Sequence, residues 1–280
     1  MPHQPLRPPI ASSPLSVILL ARALATDTAE VLQAWRHSLD KLNRNYEIIL
    51  IQETRPELAD VTATDIPEAT KRLRTIPYDR AIGVRAALND AIRSVQYPLV
   101  AFCTCDKQYA PNDLERLLKM IDKVDLVVGY RAGGQAPPWR VLLDTFLGLA
   151  SRVLIGAPLS PRVCWLGSEG RGRRWVARWI FGVRVLDPEC PFRLARREIF
   201  QHMPIQSSGP FVQVEVLAKA NHLTCLLAEE GVSWTPPNEP TSDAVSFGGD
   251  AYLVFRAPDF GPHEPPPLPG IEADGLRDCP

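Results

Sequence analysis

The chain has 280 residues, 45% hydrophobic and 22% charged, with a formal net charge of −1. That length and apolar content suit a globular protein with one sizeable core, and the balanced charge excludes an overall basic field, so nucleic acid is not an expected partner. The cysteines at 103, 105, 164, 190, 225 and 279 form no CxxC pair and fit no disulfide framework, so they read as reduced thiols.

Residues 1–14 are proline-rich, lack the apolar run of a signal peptide, and read as a disordered lead-in. LSVILLA (15–21) is a short, branched, apolar run, which predicts a strand, and Thr26 and Asp27 then head an amphipathic stretch to Asn43, which predicts a capped helix. YEIILI (46–51) repeats the fully apolar strand pattern expected when helices cover both faces of a parallel sheet. A third strand is expected around 73–76, a helix over 79–94, a strand over 98–105, a helix over 112–121 and a strand over 124–130.

This alternation implies right-handed βαβ crossovers and an open parallel sheet, whose ligands bind at the carboxyl ends of the strands. Beyond Trp139 the pattern turns helical, with further apolar or helical runs at 174–181, 195–202 and 211–221, before a closing strand over 224–234. From Pro236 on, proline, glycine and acidic residues dominate, and residues 237–280 read as a largely disordered tail after a folded domain spanning 15–236. Arg140, Asp144 and Arg152 interrupt the most apolar stretch, between Trp139 and Leu159, so no membrane span is expected and the chain reads as cytoplasmic or resting on a membrane face.

Several blocks occur in a telling order. LLARALATD (19–27), IQETRP (51–56) and TCDKQYAP (104–111) follow the first, second and fourth predicted strands. DLVVGYR (125–131), VRVLDPECPFRLARREIF (183–200) and SSGPFVQVEVLAKA (207–220) come after them. Together they resemble family 2 glycosyltransferases of the GT-A fold, and within these the dolichyl- or polyprenyl-phosphate mannosyl and glucosyl transferases, over roughly residues 15–235. The resemblance implies an α/β fold with an open, mostly parallel sheet, and an inverting transfer of a hexose from a nucleotide sugar (GDP-mannose or UDP-glucose type) to a polyprenyl phosphate or other small acceptor.

It also implies roles. Thr104, Asp106 and Gln108 occupy the places of the family's metal ligands, two carboxylates and an amide, so a Mg2+ or Mn2+ site is expected there with one carboxylate replaced; on spacing alone, Asp106 capping the next turn explains the residue equally well. Gln52 and Glu53 stand where the family contacts the base or ribose, whereas the first loop offers only Ala21, Arg22 and Ala23. Arg131 and Arg140 fall where arginines face the donor diphosphate. Asp187 and Arg193 lie in the acceptor-side block as the catalytic candidates, with a structural salt bridge of Asp187 to Arg184 or Arg193 as the alternative, and Glu215 is either a family contact or a buried structural one.

Between Arg162 and Arg184, arginines and tryptophans interleave at helical spacing, which suits either peripheral membrane contact near a lipid-phosphate acceptor or an ordinary helix packing its indoles inward. Two rival functions remain open on this sequence: a GT-A-fold binding or scaffold protein, motivated by the lost loop residues, and a nucleotidyltransferase on a similar sheet.

Overall fold

A computed structural model describes residues 10–21, 28–54, 72–79, 84–132, 182, 185–209, 211–236 and 247–261. Its elements in chain order are β1 (Leu15–Ala21), α1 (Thr28–Lys41), β2 (Tyr46–Thr54), β3 (Leu73–Asp79), α2 (Val84–Ser94), β4 (Leu99–Thr104), α3 (Leu114–Met120), β5 (Leu126–Ala132), β6 (Arg193–Arg196), α4 (Val212–His222), β7 (Leu227–Ser233) and α5 (Phe247–Arg256). Short 3-10 turns at Pro111–Asp113 and Arg197–His202 precede α3 and follow β6.

The seven strands form one sheet in the order β3-β2-β1-β4-β6-β5-β7. All neighbours pair parallel except β6, which runs antiparallel between β4 and β5. Because side chains alternate across a strand, Val17, Leu19, Ile48, Leu50, Ala101 and Cys103 face one side, where α1 and α3 bring Trp35, Leu39, Leu114 and Leu117 onto them. Ile18, Ile49, Ile51, Val100 and Val128 face the other, under Ala91 and Ile92 of α2 and Val214 and Leu217 of α4. Two packed faces explain why β1 and β2 read as continuous apolar runs instead of alternating ones.

Three expectations need correction. The run over 195–202 is not helical: its first residues form β6, and the rest is a 3-10 turn. Residue 79 ends β3, and the following helix is described only from Val84. Past Pro236, residues 247–256 form α5, whose Val254 is buried against the α2/α4 layer while Asp250 accepts the Ser208 and Gly209 N–H groups at 3.2 and 2.9 Å. The stretch between Arg162 and Arg184, apart from Gly182, lies outside the described residues.

Gly129 decides how closely the segment before β6 can approach β5. Its N–H donates to the Phe192 carbonyl at 2.8 Å, and a Cβ there would sit 2.6 Å from that same backbone oxygen and 3.2 Å from the Cys190 sulfur. Neither backbone can yield without breaking the β5–β6 pairing. Gly129→Ala is therefore expected to destabilise the fold by about 2–4 kcal/mol. Gly249→Ala, where an added methyl meets nothing within 4 Å inside a helix, is expected to stabilise it by roughly 0.5–1 kcal/mol. Urea midpoints of the two variants test both signs.

Candidate functional site at the carboxyl edge of the sheet

The parallel strands end together: Ala21 is in register with Gln52, and Leu20 with Thr104. The antiparallel β6 enters the sheet from this edge, so the 185–192 segment arrives beside the ends of β4 and β5. The parallel β7 delivers Trp234 to the same edge, where it bridges Tyr109. Sheet topology thus brings Gln52, Thr104, Asp106, Gln108, Arg131, Asp187, Arg193 and Trp234 to one rim.

On the β4 side, Thr104 closes the strand with its hydroxyl oxygen buried and without a hydrogen-bond partner. Asp106 follows in a turn. Its Oδ1 accepts the Gln108 backbone N–H and its Oδ2 the Gln108 side-chain amide, both at 3.0 Å. Asp106 therefore does shape its turn, as the local reading expected, while remaining half-buried at the rim. The Gln108 carbonyl oxygen of the amide receives the Trp234 indole N–H at 3.4 Å, and the Gln108 backbone carbonyl receives the Thr235 N–H at 2.9 Å.

The donors of Thr104, Asp106 and Gln108 are all oxygens, which suits a hard divalent cation. They supply a single negative charge, so the residues fit a cation that draws its remaining ligands from a bound diphosphate. Among the described residues, no group of three or more His, Cys, Asp or Glu side chains converges on one point.

On the β5 side, Arg131 grips Asp187 in a two-pronged contact, Nε to Oδ2 at 2.6 Å and Nη2 to Oδ1 at 2.8 Å. Asp187 is fully buried, and Arg131 is partly so, with 15% of its side chain exposed. Burial alone would lower the Arg131 pKa, but the hydrogen bonds and charge of Asp187 outweigh it and the net shift is upward. Arg131 also stands over the Trp234 ring, 5.4 Å from its centroid, within cation–π range.

The expected partners of Asp187 were Arg184 or Arg193; Arg131 holds that place. The geometry also redirects Arg131, because a guanidinium closed on a buried carboxylate presents its fork to Asp187 and not outward. Arg140 lies outside the described residues, as do Arg22 and Ala23. Gln52, half-buried, closes the β1–β2 register opposite Ala21 and pairs with Pro77 on its other side, and Glu53 follows it on the same strand opposite Tyr78.

Arg193 is 2% exposed and gives its guanidinium to the carbonyls of Cys190, Gln213 and Pro188 at 3.0, 2.6 and 2.6 Å. Burial lowers its pKa to about 10, offset in part by Cys190, Asp187 and Tyr109. Held this way it ties the 188–190 turn to the start of α4, and it does not reach out to an acceptor as the sequence alone suggested. Glu215 proves to be a buried structural group. It accepts the N–H groups of Gln206 and Ser207 at 2.8 Å each and pairs with Lys219 at 2.7 Å.

A separate groove of about 700 Å³ runs between α1 and α3, lined by Ser38, Lys41, Arg44, Asn112, Glu115 and Lys119 among others. It contains none of the rim residues. Sequence reasoning had left out Trp234 and Tyr109. Both stand beside motifs it did use, Tyr109 inside TCDKQYAP and Trp234 at the end of a predicted strand, and aromatic residues next to a strand's carboxyl end were the only signal available.

Among the described residues, Cys103, Cys105, Cys190 and Cys225 form no disulfide. Burial, with a contribution from Asp106, raises Cys105 from 9.0 to about 12. Burial and then Asp187 do the same for Cys190. A thiol whose folded pKa is raised contributes stability in full below about pH 9 and loses it as pH rises toward 12. The urea midpoint is therefore expected to fall between pH 9 and 11, and less steeply in Cys105→Ala. Removing one member of the Arg131–Asp187 pair leaves a buried charge alone, so Asp187→Ala is expected to cost about 3–5 kcal/mol. A double variant, Arg131→Met with Asp187→Leu, should recover most of that loss in the same unfolding measurement.

Residues 27–155 match the profile of the glycosyl transferase family 2. The chain is similar, at 23% identity over 144 residues, to an undecaprenyl-phosphate 4-deoxy-4-formamido-L-arabinose transferase of Pseudomonas syringae pv. syringae (strain B728a). The match covers 51% of this chain and 43% of that protein, so the chain aligns with less than half of its relative's length. Among solved structures, it resembles glucosyl-3-phosphoglycerate synthase from Mycobacterium tuberculosis in complex with UDP (TM-score 0.59, 17% identity, 91% of this chain and 84% of that one). It resembles the same enzyme in complex with Mn2+, UDP-glucose and phosphoglyceric acid to a similar degree (TM-score 0.58, 17% identity, 91% and 85%). At that identity the structural likeness speaks for the fold, and with the profile match it identifies residues 27–155 as a family 2 glycosyltransferase segment within a chain of GT-A fold.

Proposed function

We propose that the chain transfers a hexose from a nucleoside diphosphate sugar, of the UDP-glucose or GDP-mannose type, to a phosphate-bearing acceptor, either a polyprenyl phosphate or a small soluble one. The supporting observation is the convergence at one sheet edge of an all-oxygen donor set, Thr104, Asp106 and Gln108, with Gln52 and the Arg131–Asp187–Trp234 cluster. The relative acts, by its name, on undecaprenyl phosphate, and the structural neighbour is described with UDP-glucose, Mn2+ and phosphoglyceric acid. Both acceptors carry an anionic phosphate.

In this reading Gln52 and Glu53 contact the nucleoside, and Thr104, Asp106 and Gln108 hold a Mg2+ or Mn2+ ion, which when bound offsets charge on the departing diphosphate. Arg131 and Asp187 act as positioning residues: paired and buried, they fix the acceptor-side segment against β5, and Arg193 fixes its far end to α4. Direct contact with the diphosphate falls to Arg140. An acceptor phosphate is already ionised, so transfer onto it needs little help from a general base. The buried, ion-paired Asp187 is suited to holding geometry instead of taking a proton. No described helix is long and apolar enough to cross a membrane.

A scaffold role is the second reading, favoured by one specific observation: the only carboxylate of the donor set is already engaged by Gln108. Calorimetric titration with UDP-glucose and GDP-mannose, with and without Mn2+, separates the two. The transferase reading expects saturable binding of one donor, strengthened by Mn2+ and weakened at least about tenfold in Asp106→Asn. Absence of binding to either donor would leave the scaffold. Assays with polyprenyl phosphate and phosphoglyceric acid then distinguish the acceptor class.

A further inference from the structure

We infer that Trp234 is a positioning residue that holds the Gln108 amide oxygen away from the Thr104–Asp106 cation site, keeping divalent-cation affinity low in the nucleotide-free protein. This rests on the reading of Thr104, Asp106 and Gln108 as cation ligands. The amide of Gln108 has two ends with opposite hydrogen-bonding character. Here the NH2 end donates to Asp106 Oδ2 at 3.0 Å, and the oxygen end accepts the Trp234 indole N–H at 3.4 Å.

Turning the amide over would set its NH2 against the indole N–H and its oxygen against the Asp106 carboxylate. Both contacts would become repulsive together. The indole donor therefore selects the orientation in which Asp106 faces an N–H and the second neutral oxygen ligand points elsewhere.

Trp234 is itself well held. Its backbone bridges Tyr109, the Thr235 N–H binds the Gln108 carbonyl at 2.9 Å, and the Arg131 guanidinium covers its ring while gripping Asp187. The donor cannot drift away from Gln108 without disturbing the end of β7 and the β5 pair. Thr104 supplies an independent sign that the cradle is incomplete as it stands, since its buried hydroxyl oxygen has no partner. A cation that collected Thr104, Asp106 and a turned Gln108 would satisfy that atom, but the turn must first break the indole contact.

The test is a titration of nucleotide-free protein with Mn2+, reading the free ion by its electron paramagnetic resonance signal, with thermal unfolding as a check of folding. Trp234→Phe keeps a ring beneath Arg131 and removes the N–H; it is expected to tighten Mn2+ binding by about three- to tenfold. Trp234→Leu must shift in the same direction. In a Gln108→Leu background neither substitution should change the affinity, because the effect passes through the amide.

Unchanged or weaker binding in both tryptophan variants overturns the inference, as does a shift that persists without Gln108. Asp106→Asn locates the failure. If it abolishes Mn2+ binding while the tryptophan variants do nothing, only the indole inference is lost. Indistinguishable binding in wild type and Asp106→Asn, or no binding in any of the proteins, overturns the cation site and the inference with it.

Discussion

Asp187 has no solvent access, and Arg131 meets both of its carboxylate oxygens in a two-pronged contact. This pair sits where the last turn before β6 crosses the end of β5, so it fixes the approach of the whole 185–192 segment. Gly129 makes the approach sterically admissible two residues earlier, since any side chain would strike the Phe192 carbonyl. Arg193 completes the anchorage from the other side, spending its charge on three carbonyl dipoles. An arginine that reads as a phosphate ligand in sequence is thus absorbed by backbone, and one that reads as facing a diphosphate is absorbed by a carboxylate.

The insertion of β6 against the direction of its neighbours is what makes a shared rim. Had the chain entered the sheet parallel after residue 192, the Asp187 turn would lie at the opposite edge from Thr104 and Asp106. Because β6 starts at the carboxyl edge, the acceptor-side turn, the β4 loop and the end of β7 meet. Phe192 packs against Trp35 and Tyr109 with centroids 5.6 and 6.2 Å apart, so the apolar floor beneath the rim is shared by α1, the β4 loop and the segment before β6.

What could be read from residues alone follows from this physics. β1, β2, β4 and β5 were legible because burial on both faces leaves an unbroken apolar run, and the carboxyl ends of β2, β4 and β5 bring Gln52, Thr104, Asp106 and Arg131 to one edge of the sheet. β6 was not, because RLAR carries buried arginines at both ends of a four-residue strand: Arg196 is satisfied by the distant carbonyls of Val124 and Ile121, and Arg193 by Gln213 together with the nearby Cys190 and Pro188. α5 hid in a segment of turn-forming composition; its support comes from Val254 reaching the α2/α4 layer and Asp250 meeting two backbone N–H groups, neither of which has a local signature. The pairing of Arg131 with Asp187 spans 56 residues, and no spacing rule chooses between Arg131, Arg184 and Arg193 as the partner.

The charges at the rim then constrain how any diphosphate could be held. Arg131 and Asp187 cancel, and Arg193, although formally unpaired, lies buried under the turn it braces, with Asp106 as the rim's own opposing charge. Summed over these four groups, the formal charge is zero. A nucleoside diphosphate sugar arriving there carries at least two negative charges that this set does not offset, while a divalent cation alone would meet a single carboxylate already hydrogen-bonded to Gln108. Each ligand is poorly matched to the rim by itself, and each supplies what the other lacks. On the proposed reading, cation and diphosphate therefore bind as a coupled pair, and the buried ion pair, neutral as a unit, holds the walls of the site in place without competing for either.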